Sequence, residues 1–217
     1  MKKGTSAIND LIRVMARLRS PKGCPWDREQ DHMTLRWHAV EEVYELMDAI
    51  ESRDDHELEE ELGDLLLQVV FHCQLARERR AFDFDKVARH ITDKLIRRHP
   101  HVFGQLKVKD VDQVWANWEK IKRAEKHGTR HSRPSALDGI PKHLPALLRA
   151  EKLVKKARRA KLVSATPARR LSRQAIARQL FRLAQQAQAR GWSAEDLLRQ
   201  ETQKHEHAWR RQEGAQQ

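Results

Sequence analysis

The stretch EEVYELMDAIESRDDHELEEELGD, residues 41–64, places 12 carboxylates within 24 residues of a chain whose formal net charge is +12. The same stretch carries the pattern of two helices joined by a turn. Asp54, followed three residues later by a glutamate, is typical of a capping box at a helix N-terminus. We therefore predict one helix from about Thr34 to Ser52 and a second, longer helix from the Asp54 cap to about Arg79.

Apolar residues recur at steps of three and four along both helices, which predicts that one face of each helix is buried. The residues expected in the core are Val40, Val43, Met47 and Ile50 of the first helix, and Leu58, Leu62, Leu65, Leu66 and Val69 of the second. A short turn between the helices would fold them back antiparallel, so that these two apolar faces pack together.

Two pairs of carboxylates occupy the same register on these helices. In each pair, the first carboxylate comes one residue before a predicted core residue and the second comes two residues after it. The two carboxylates are therefore three residues apart and lie on one face of the helix. The pairs are Glu42 and Glu45 around Val43, and Glu61 and Asp64 around Leu62. Packing through the two core residues would bring four carboxylates to one edge of the interface, where oxygen ligands alone suit Mg²⁺ or Mn²⁺ rather than zinc.

Two other interpretations of the acidic stretch stay open at this point. Helices rich in glutamate usually present no more than a solvated face. A carboxylate-bridged diiron bundle is a further option, but such sites use Glu-x-x-His pairs, and the segment Glu61–Asp64 has no histidine at the matching place. Gly63 lies inside the second helix, where it costs about 1 kcal/mol relative to alanine, and a close backbone approach at the site would explain it.

The composition predicts an all-α protein. Charged residues make up 34% of the 217 residues, with only 8 Gly and 7 Pro, and the abundant Ala, Leu, Glu, Arg and Gln favour helix. Further helices are expected at about residues 8–18, 85–98 and 110–125. In the first of these, the apolar residues recur at helical spacing, namely Ile8, Leu11, Ile12, Met15 and Leu18, and the segment SPKGCPWD then breaks the pattern.

Cysteine usage and hydropathy suggest where the protein resides. Cys24 and Cys73 are far apart and lack CxxC spacing, which disfavours both a disulfide framework and a structural zinc site. The N-terminus lacks the apolar segment of a signal peptide, and no stretch approaches the 18 or so apolar residues needed to span a bilayer. We expect a soluble protein of the reducing cytoplasm with no membrane partner.

The positive charge is concentrated in the last third of the chain. Residues 145–217 hold 17 Lys and Arg against 6 Asp and Glu, whereas residues 1–144 hold 26 against 25. Three prolines and two glycines mark a connector between the two parts. We predict a first domain at residues 1–127, a linker at 128–145 and a smaller basic helical region at 146–217.

A basic segment follows the acidic helices. In DKLIRRHPHVFG, residues 93–104, Lys94, Arg97 and Arg98 lie near a predicted helix C-terminus. Such residues often only compensate the helix dipole, but lysine and arginine are also the side chains that grip phosphate oxygens. Together with four carboxylates that hold a divalent cation, they predict a triphosphate site.

These motifs carry a resemblance to a known family. In order along residues 8–127, the strings GCPWDREQ, EEVYELMDAI, EELGDLLLQVVFH, DKLIRRHPHVFG and NWEKIKRAEK resemble the MazG nucleoside triphosphate pyrophosphohydrolases. SALDGIPKHLPALLRAEKL resembles the segment that joins the halves of tandem members. The resemblance implies an all-α fold, dependence on Mg²⁺ with Mn²⁺ as a possible substitute, and cleavage of nucleoside triphosphates to the monophosphate and pyrophosphate. It also implies at least a homodimer.

The resemblance implies a role for each matching residue. Four would be metal ligands, namely Glu42, Glu45, Glu61 and Asp64. Glu41 would support them or orient the attacking water. The nucleotide would contact Lys94 and Arg98, with Arg97 on phosphate. Trp115 would either stack on the base or pack in the core, and weaker candidates are Trp26, Lys120 and Lys122.

The basic region resembles a second copy of the same helices that has lost its acidic motif. By alignment Ala175 falls where Glu61 stands, and Arg178 falls where Asp64 stands, so this copy cannot hold the metal in the same way. Its leucines could pack against the first domain or a partner chain, or its charge could attract nucleic acid, which is less expected because no binding motif accompanies it. We expect an enzyme that clears surplus or non-canonical nucleotides; the alternative is a catalytically weak regulator that binds nucleotides or nucleic acid.

Overall fold

The computed structural model describes residues 6–125, 128, 134–163 and 171–215. Within these residues all regular structure is helical, which confirms the all-α prediction. The helices are α1 (Ala7–Leu18), α2 (Pro25–Glu29), α3 (His38–Ser52), α4 (Asp55–Glu78), α5 (Phe84–Arg98), α6 (Pro100–Phe103), α7 (Val111–Ala124), α8 (Ala146–Arg159), α9 (Arg173–Gln188) and α10 (Ala194–Gly214). No helix in the described part of the chain is long and apolar enough to cross a membrane.

The chain forms two compact units, Met1–Trp115 and Ala116–Gln217. We predicted a linker at 128–145, whereas the contacts divide the chain at Trp115, inside α7. Residues 134–145 pack within the second unit, and residues 129–133 of that predicted linker lie outside the described ranges, as do residues 164–170 of the predicted C-terminal region.

The core of the first unit forms where α1 packs against α4. Its buried residues are Met15, Leu35, Val70, Phe71 and Leu75. Around them pack the apolar residues that the period of the first helix predicted, namely Ile8, Leu11, Ile12 and Leu18. The helical period therefore identified the buried face of α1 correctly.

Arg19 joins α1, α4 and the loop between α1 and α3. Its guanidinium donates two hydrogen bonds of 2.7 Å to the Glu78 carboxylate, and it also donates to the backbone oxygens of Asp27 and Gln30. This forked pairing lowers the pKa of Glu78. This clamp fixes the segment SPKGCPWD, which breaks the helical pattern as predicted. The last three residues of the segment begin the short helix α2, with Pro25 in its first turn.

The turn between α3 and α4 is built as predicted around Asp54. Its Oδ1 accepts hydrogen bonds from the backbone N–H groups of His56 (2.8 Å) and Glu57 (3.4 Å), which satisfies two donors at the start of α4. Arg53 adopts the left-handed conformation (φ 60°) that reverses the chain. The Glu57 carboxylate accepts from the Ser52 hydroxyl, so that it ties the turn to α3.

Helix α3 begins at His38, later than the predicted start near Thr34. The Asp31 carboxylate accepts hydrogen bonds from the N–H groups of Met33 (2.7 Å) and Thr34 (2.8 Å). This local turn competes with helix formation, so the helix starts one turn further on.

The predicted packing of α3 and α4 through Val43 and Leu62 is wrong. The four apolar residues of α3 that were expected in the core are 42–57% exposed, and three of those expected on α4 are 39–50% exposed. These exposed residues are Val40, Val43, Met47 and Ile50 on α3, and Leu62, Leu66 and Val69 on α4; we call them the exposed stripe.

A different face of each helix is turned toward the protein. On α3 the covered positions are Ala39, Glu42, Leu46 and Ala49, and on α4 they are Leu58, Glu61, Leu65 and Gln68. These positions recur at steps of three and four. Each residue of the exposed stripe directly follows one of them in the sequence. We call the interface between them the α3–α4 seam. The side of the seam formed by α3 includes two alanines, Ala39 and Ala49. The four large apolar residues of α3 lie on the neighbouring face, and they give the stronger periodic signal in the sequence.

The second unit is organised by α8 and α10, which pack against each other. Its core contains Leu137, Leu153, Ala157 and Leu162, with Trp209 at the margin. Leu137 belongs to the segment before α8, and Glu213 of α10 holds this segment by accepting hydrogen bonds from Ser135 Oγ (2.5 Å) and Ala136 N (2.7 Å).

A buried ion pair lies between α8 and α10. Arg149 Nη2 donates to Glu206 Oε2 at 2.5 Å, and the two side chains are only 7% and 16% exposed. Arg210 donates to the other oxygen, Oε1, at 2.7 Å. Burial acts to raise the pKa of Glu206, but the hydrogen bonds from Arg210 and Arg149 outweigh it, so that this pKa lies below its ordinary value.

Helix α9 is the least covered helix of this unit. Only Ala187 is buried among its residues, while Ile176, Leu180 and Leu183 are exposed. Much of the apolar side of α9 is therefore exposed to solvent.

The buried ion pair gives a prediction for stability. Glu206→Gln should lower the free energy of unfolding at pH 7 by about 2 kcal/mol, because Arg149 loses its anionic partner inside the protein. Since the folded pKa of Glu206 is depressed, the stabilisation is present above the unfolded pKa of about 4.3 and is lost as the pH falls through the folded value.

Urea denaturation at pH 7 and at pH 3 would measure this effect. The matched control is Glu201→Gln, since Glu201 lies on the same helix and pairs with Lys204 at 3.0 Å on the surface. This control should change stability by no more than about 0.5 kcal/mol. Equal effects of the two substitutions at pH 7 would contradict the prediction.

Candidate metal centre

Three carboxylates converge at the α3–α4 seam. Glu42 and Glu45 of α3 and Glu61 of α4 each offer an oxygen, and these oxygens all lie within 4.8 Å of one another. Asp64 lies one turn after Glu61 and is close enough to raise the pKa of both Glu42 and Glu61. The structure thus brings together the four residues of the predicted pairs.

The carboxylates reach this arrangement by a different route from the one expected. Glu42 and Glu61 belong to the covered face of their helices, and Ala39 and Leu46 lie one turn before and one turn after Glu42 on that face of α3. Glu42 and Glu61 therefore sit within the seam rather than at its edge. Turning each helix to cover these residues also exposes the apolar side chains of Val43 and Leu62 next to them.

The four carboxylates repel one another. Burial is the main cause that raises the pKa of Glu42, and repulsion from Asp64 and Glu45 adds to it, while a hydrogen bond from Gln68 acts in the opposite direction. The pKa of Glu61 is also raised, first by burial and then by Glu45, Asp64 and Glu42. The seam therefore holds its negative charge at a cost to stability.

The donor set fits a hard divalent cation. It consists of carboxylate oxygens only, which suits Mg²⁺ or Mn²⁺. Glu61 Oε2 is buried and has no hydrogen-bond partner among the described residues. A buried carboxylate oxygen without a donor is costly unless a cation satisfies it, so these residues fit a metal ion.

Glu41, predicted to support the ligands, lies on the outer side of α3. Its carboxylate is exposed and lies 3.6 Å from His38 Nδ1. This residue is therefore available at the surface beside the cluster rather than inside the seam.

The predicted phosphate-binding residues lie on α5, which packs against α4. Lys94 is half-buried, Arg97 is exposed and Arg98 is buried. Lys94 and Arg98 stand four residues apart and share the covered side of the helix. Arg97 and Arg98 are in the last turn, where their charge also favours the helix C-terminus.

Three of the other predicted nucleotide contacts, Trp115, Lys120 and Lys122, lie on α7, and Trp26 lies on α2. Trp115 is 60% exposed, which argues against the alternative that it packs in a core. Lys122 belongs to the second unit and pairs with Glu119 at 3.3 Å. Trp26 is half exposed, with its ring 6.1 Å from the ring of His38 at the start of α3.

Sequence reasoning missed Gln68. This residue is buried on α4, two turns after Glu61 on the covered face, and its Nε2 donates to Glu42 Oε1 at 3.2 Å. Gln68 comes seven residues after Glu61, a spacing that places both residues on the same helix face. This spacing could have indicated Gln68 only if the buried face of α4 had been predicted correctly.

The repulsion in the seam gives a second prediction. In metal-free buffer at pH 7, Glu61→Gln should raise the thermal unfolding midpoint, because it removes a charge that the fold disfavours. A raised folded pKa means that the contribution of Glu61 to stability is present below the unfolded pKa of about 4.3 and is lost as the pH rises through the folded value. The gain should therefore vanish near pH 4.

Thermal unfolding followed by circular dichroism in EDTA would test this prediction. Glu59→Gln is the control, since Glu59 is exposed on the same helix. A lower midpoint for Glu61→Gln than for Glu59→Gln at pH 7 would contradict it.

The sequence was compared with known families and proteins. Residues 30–103 match the MazG nucleotide pyrophosphohydrolase domain. This segment contains α3, α4 and α5, and with them all four clustered carboxylates and the basic residues of α5.

Three relatives align over about 70% of the chain. A nucleoside triphosphate pyrophosphohydrolase of Escherichia coli K12 is 48% identical over 150 residues, which are 69% of this chain and 56% of the relative. The nucleoside triphosphate pyrophosphohydrolase/pyrophosphatase MazG of Thermotoga maritima is 44% identical over 153 residues, 70% of this chain and 57% of the relative. An uncharacterized protein of Bacillus subtilis, YabN, is 49% identical over 150 residues, 69% of this chain and 29% of the relative.

The chain thus spans little more than half of the two named pyrophosphohydrolases. A crystal structure of a MazG-related protein from Thermotoga maritima covers 52% of this chain and 97% of its own, with 24% identity and a TM-score of 0.45. Residues 30–103 of the chain therefore match a MazG domain, and about 70% of the chain is similar in sequence to these pyrophosphohydrolases.

Proposed function

We propose that this protein is a Mg²⁺-dependent nucleoside triphosphate pyrophosphohydrolase that clears surplus or non-canonical nucleotides. The observation that carries the proposal is the convergence of Glu42, Glu45 and Glu61 within 4.8 Å, with Asp64 beside them. The names of the Escherichia coli and Thermotoga maritima relatives support the same activity.

In the proposed reaction water attacks the α-phosphorus, the α–β anhydride bond breaks, and pyrophosphate leaves with the nucleoside monophosphate as the other product. The four carboxylates would hold Mg²⁺, or Mn²⁺ as a substitute, and the cation would supply charge neutralisation at the phosphate oxygens.

The remaining residues would bind and orient the substrate. Lys94 and Arg98 would contact the nucleotide from α5, and Arg97 would neutralise phosphate. Glu41, exposed beside the cluster, would orient or deprotonate the attacking water. Trp115 would offer its exposed ring to the base, with Lys122 as a weaker nucleotide contact.

We further propose a cytoplasmic homodimer, or a higher homo-oligomer, that forms through the exposed stripe. Seven large apolar residues at helical spacing lie on two adjacent helices and are 39–57% exposed, an arrangement that marks an interaction surface.

Gly63 lies next to Leu62 in this region. A Cβ added at Gly63 would meet nothing within 4 Å, so no described residue makes the close backbone approach that was expected at this glycine. In the proposed dimer, the second chain would make this close approach.

Residues 146–217 are proposed to be a diverged copy of the helices of the first unit, one that cannot hold a metal in the same way. Aligning α9 with α4 places Ala175 and Arg178 at the positions of Glu61 and Asp64. The same alignment matches three exposed apolar residues of α9 with residues of the exposed stripe on α4. The matched pairs are Ile176 with Leu62, Leu180 with Leu66, and Leu183 with Val69.

Removing the proposed ligands tests the function. Glu45→Ala or Glu61→Ala should reduce pyrophosphate release by about 100-fold or more, because an incomplete ligand set cannot hold the metal. The assay measures nucleoside monophosphate and pyrophosphate from ordinary, deoxy and damaged triphosphates with Mg²⁺. Glu59→Ala, an exposed carboxylate on the same helix, is the control and should retain the wild-type rate.

Two results would count against this function. Unchanged turnover in the ligand variants would remove the cluster from the reaction, and release of inorganic phosphate would mean that a different bond is cut. Binding of nucleic acid without turnover of any triphosphate would instead favour the regulator considered from the sequence.

Charge placed in the exposed stripe tests the assembly. Met47→Arg should convert the assembled species into monomers, because the substitution buries an unpaired charge at the interface. Val14→Arg is the matched control, since Val14 of α1 is 47% exposed and Met47 is 49% exposed. Sedimentation equilibrium at micromolar concentration gives the masses; a monomeric wild-type protein would rule out the proposed dimer.

A further inference from the structure

Gln68 links the candidate metal centre to the core of the first unit. It is 7% exposed, and two of the residues that follow it on α4, Val70 and Phe71, are core residues. A buried amide is costly unless its donor and acceptor are both satisfied. An apolar side chain at this position would fill the space without that cost, as Leu65 does one turn earlier on the same covered face.

The amide of Gln68 is used on one side only. Its Nε2 donates across the seam to Glu42 Oε1 at 3.2 Å. Its carbonyl oxygen, Oε1, is buried without a partner among the described residues. An ionised carboxylate can only accept, so the amide must turn its NH₂ group toward Glu42.

An unsatisfied buried carbonyl is destabilising by about 1–3 kcal/mol. The fold tolerates this at Gln68, next to a group of carboxylates that already repel one another. Violations of this kind in an otherwise consistent core are expected at functional sites.

We propose that Gln68 is a positioning residue for the metal centre. By occupying Glu42 Oε1 with its N–H donor, Gln68 fixes the Glu42 side chain and leaves Oε2 for the cation. This inference rests on the proposed function, because it needs the carboxylates to hold a divalent ion.

The chain offers a matched comparison on the same helix. Gln74 Nε2 donates to Glu78 Oε1 at 2.9 Å, and Glu78 pairs with Arg19 at the far end of α4 from the cluster. Both glutamines therefore make an amide–carboxylate bond, but only the bond of Gln68 reaches a proposed metal ligand. A structural role shared by both would affect both substitutions alike.

The test measures binding of Mn²⁺ alone to the purified full chain, by electron paramagnetic resonance of the free ion and by calorimetry. Gln68→Met keeps the length of the side chain and removes the amide, and Gln68→Leu provides a second apolar variant. The dissociation constant should rise about 10–100-fold in both. For Gln74→Met it should stay within about 2-fold of wild type, since no proposed ligand loses an outer partner.

Turnover separates positioning from a direct role. In Gln68→Met the Mg²⁺ concentration for half-maximal pyrophosphate release should rise in step with the Mn²⁺ dissociation constant, and kcat should recover at saturating Mg²⁺. Glu45→Ala should not recover. A kcat that stays low at saturating Mg²⁺ would overturn the positioning role.

Circular dichroism and thermal unfolding in EDTA show whether each variant is folded. Folded Gln68→Met or Gln68→Leu that binds Mn²⁺ as tightly as wild type overturns the inference while leaving the metal centre intact. Absence of Mn²⁺ binding in the wild-type protein removes the proposed metal-dependent function, and the inference fails with it.

Discussion

The first unit depends on holding like charges together between two helices. Burial raises the pKa of Glu42 and Glu61, and the neighbouring carboxylates of Glu45 and Asp64 raise it further. Neighbouring elements must supply the stability that this seam lacks. The core between α1 and α4, the Arg19 clamp on Glu78 and the Asp54 cap supply it, and each acts away from the carboxylates.

The same constraint explains why so much apolar surface remains exposed. A helix can turn only one face toward its neighbour, and α3 turns the face with Glu42, Leu46 and two alanines. The large residues of the neighbouring face, such as Val43 and Met47, then face away. A surface of this kind is suited to a protein that completes its packing with another chain.

Much of this could be predicted from the sequence, and the errors in α3 and α4 have one physical origin. Helix propensity and the Asp54 cap predicted the all-α fold and the α3–α4 turn, because both depend on local interactions. Periodicity found the covered face of α1 but the wrong faces of α3 and α4. Helices α3 and α4 each have one face that packs within the chain and a second face that is apolar but exposed. The hydrophobic periodicity of the sequence follows the face with more large apolar residues, which here is the exposed face that contains Val43 or Leu62. The four carboxylates were still predicted to lie together, because Glu42 directly precedes Val43 and Glu61 directly precedes Leu62. The predicted buried face was therefore shifted by one residue, in the same direction along the sequence, on both helices. Gln68 could not be predicted as a site residue because the buried face of α4 was predicted wrongly.

The predicted linker failed for a different reason. Residues 134–145 contain prolines typical of a linker, but tertiary hydrogen bonds hold them within the second unit.

The two alanines of the α3–α4 seam, Ala39 and Ala49, have a consequence for ion selectivity. Their methyl groups limit how closely the two helix backbones lie, and so how widely the carboxylates of Glu42 and Glu61 are separated. Magnesium binds oxygen at about 2.0–2.1 Å and calcium at about 2.3–2.6 Å. In the proposed metal centre, the separation of the two helices would therefore favour a cation of matching radius, and the two alanines of α3 would contribute to that selection together with the carboxylates.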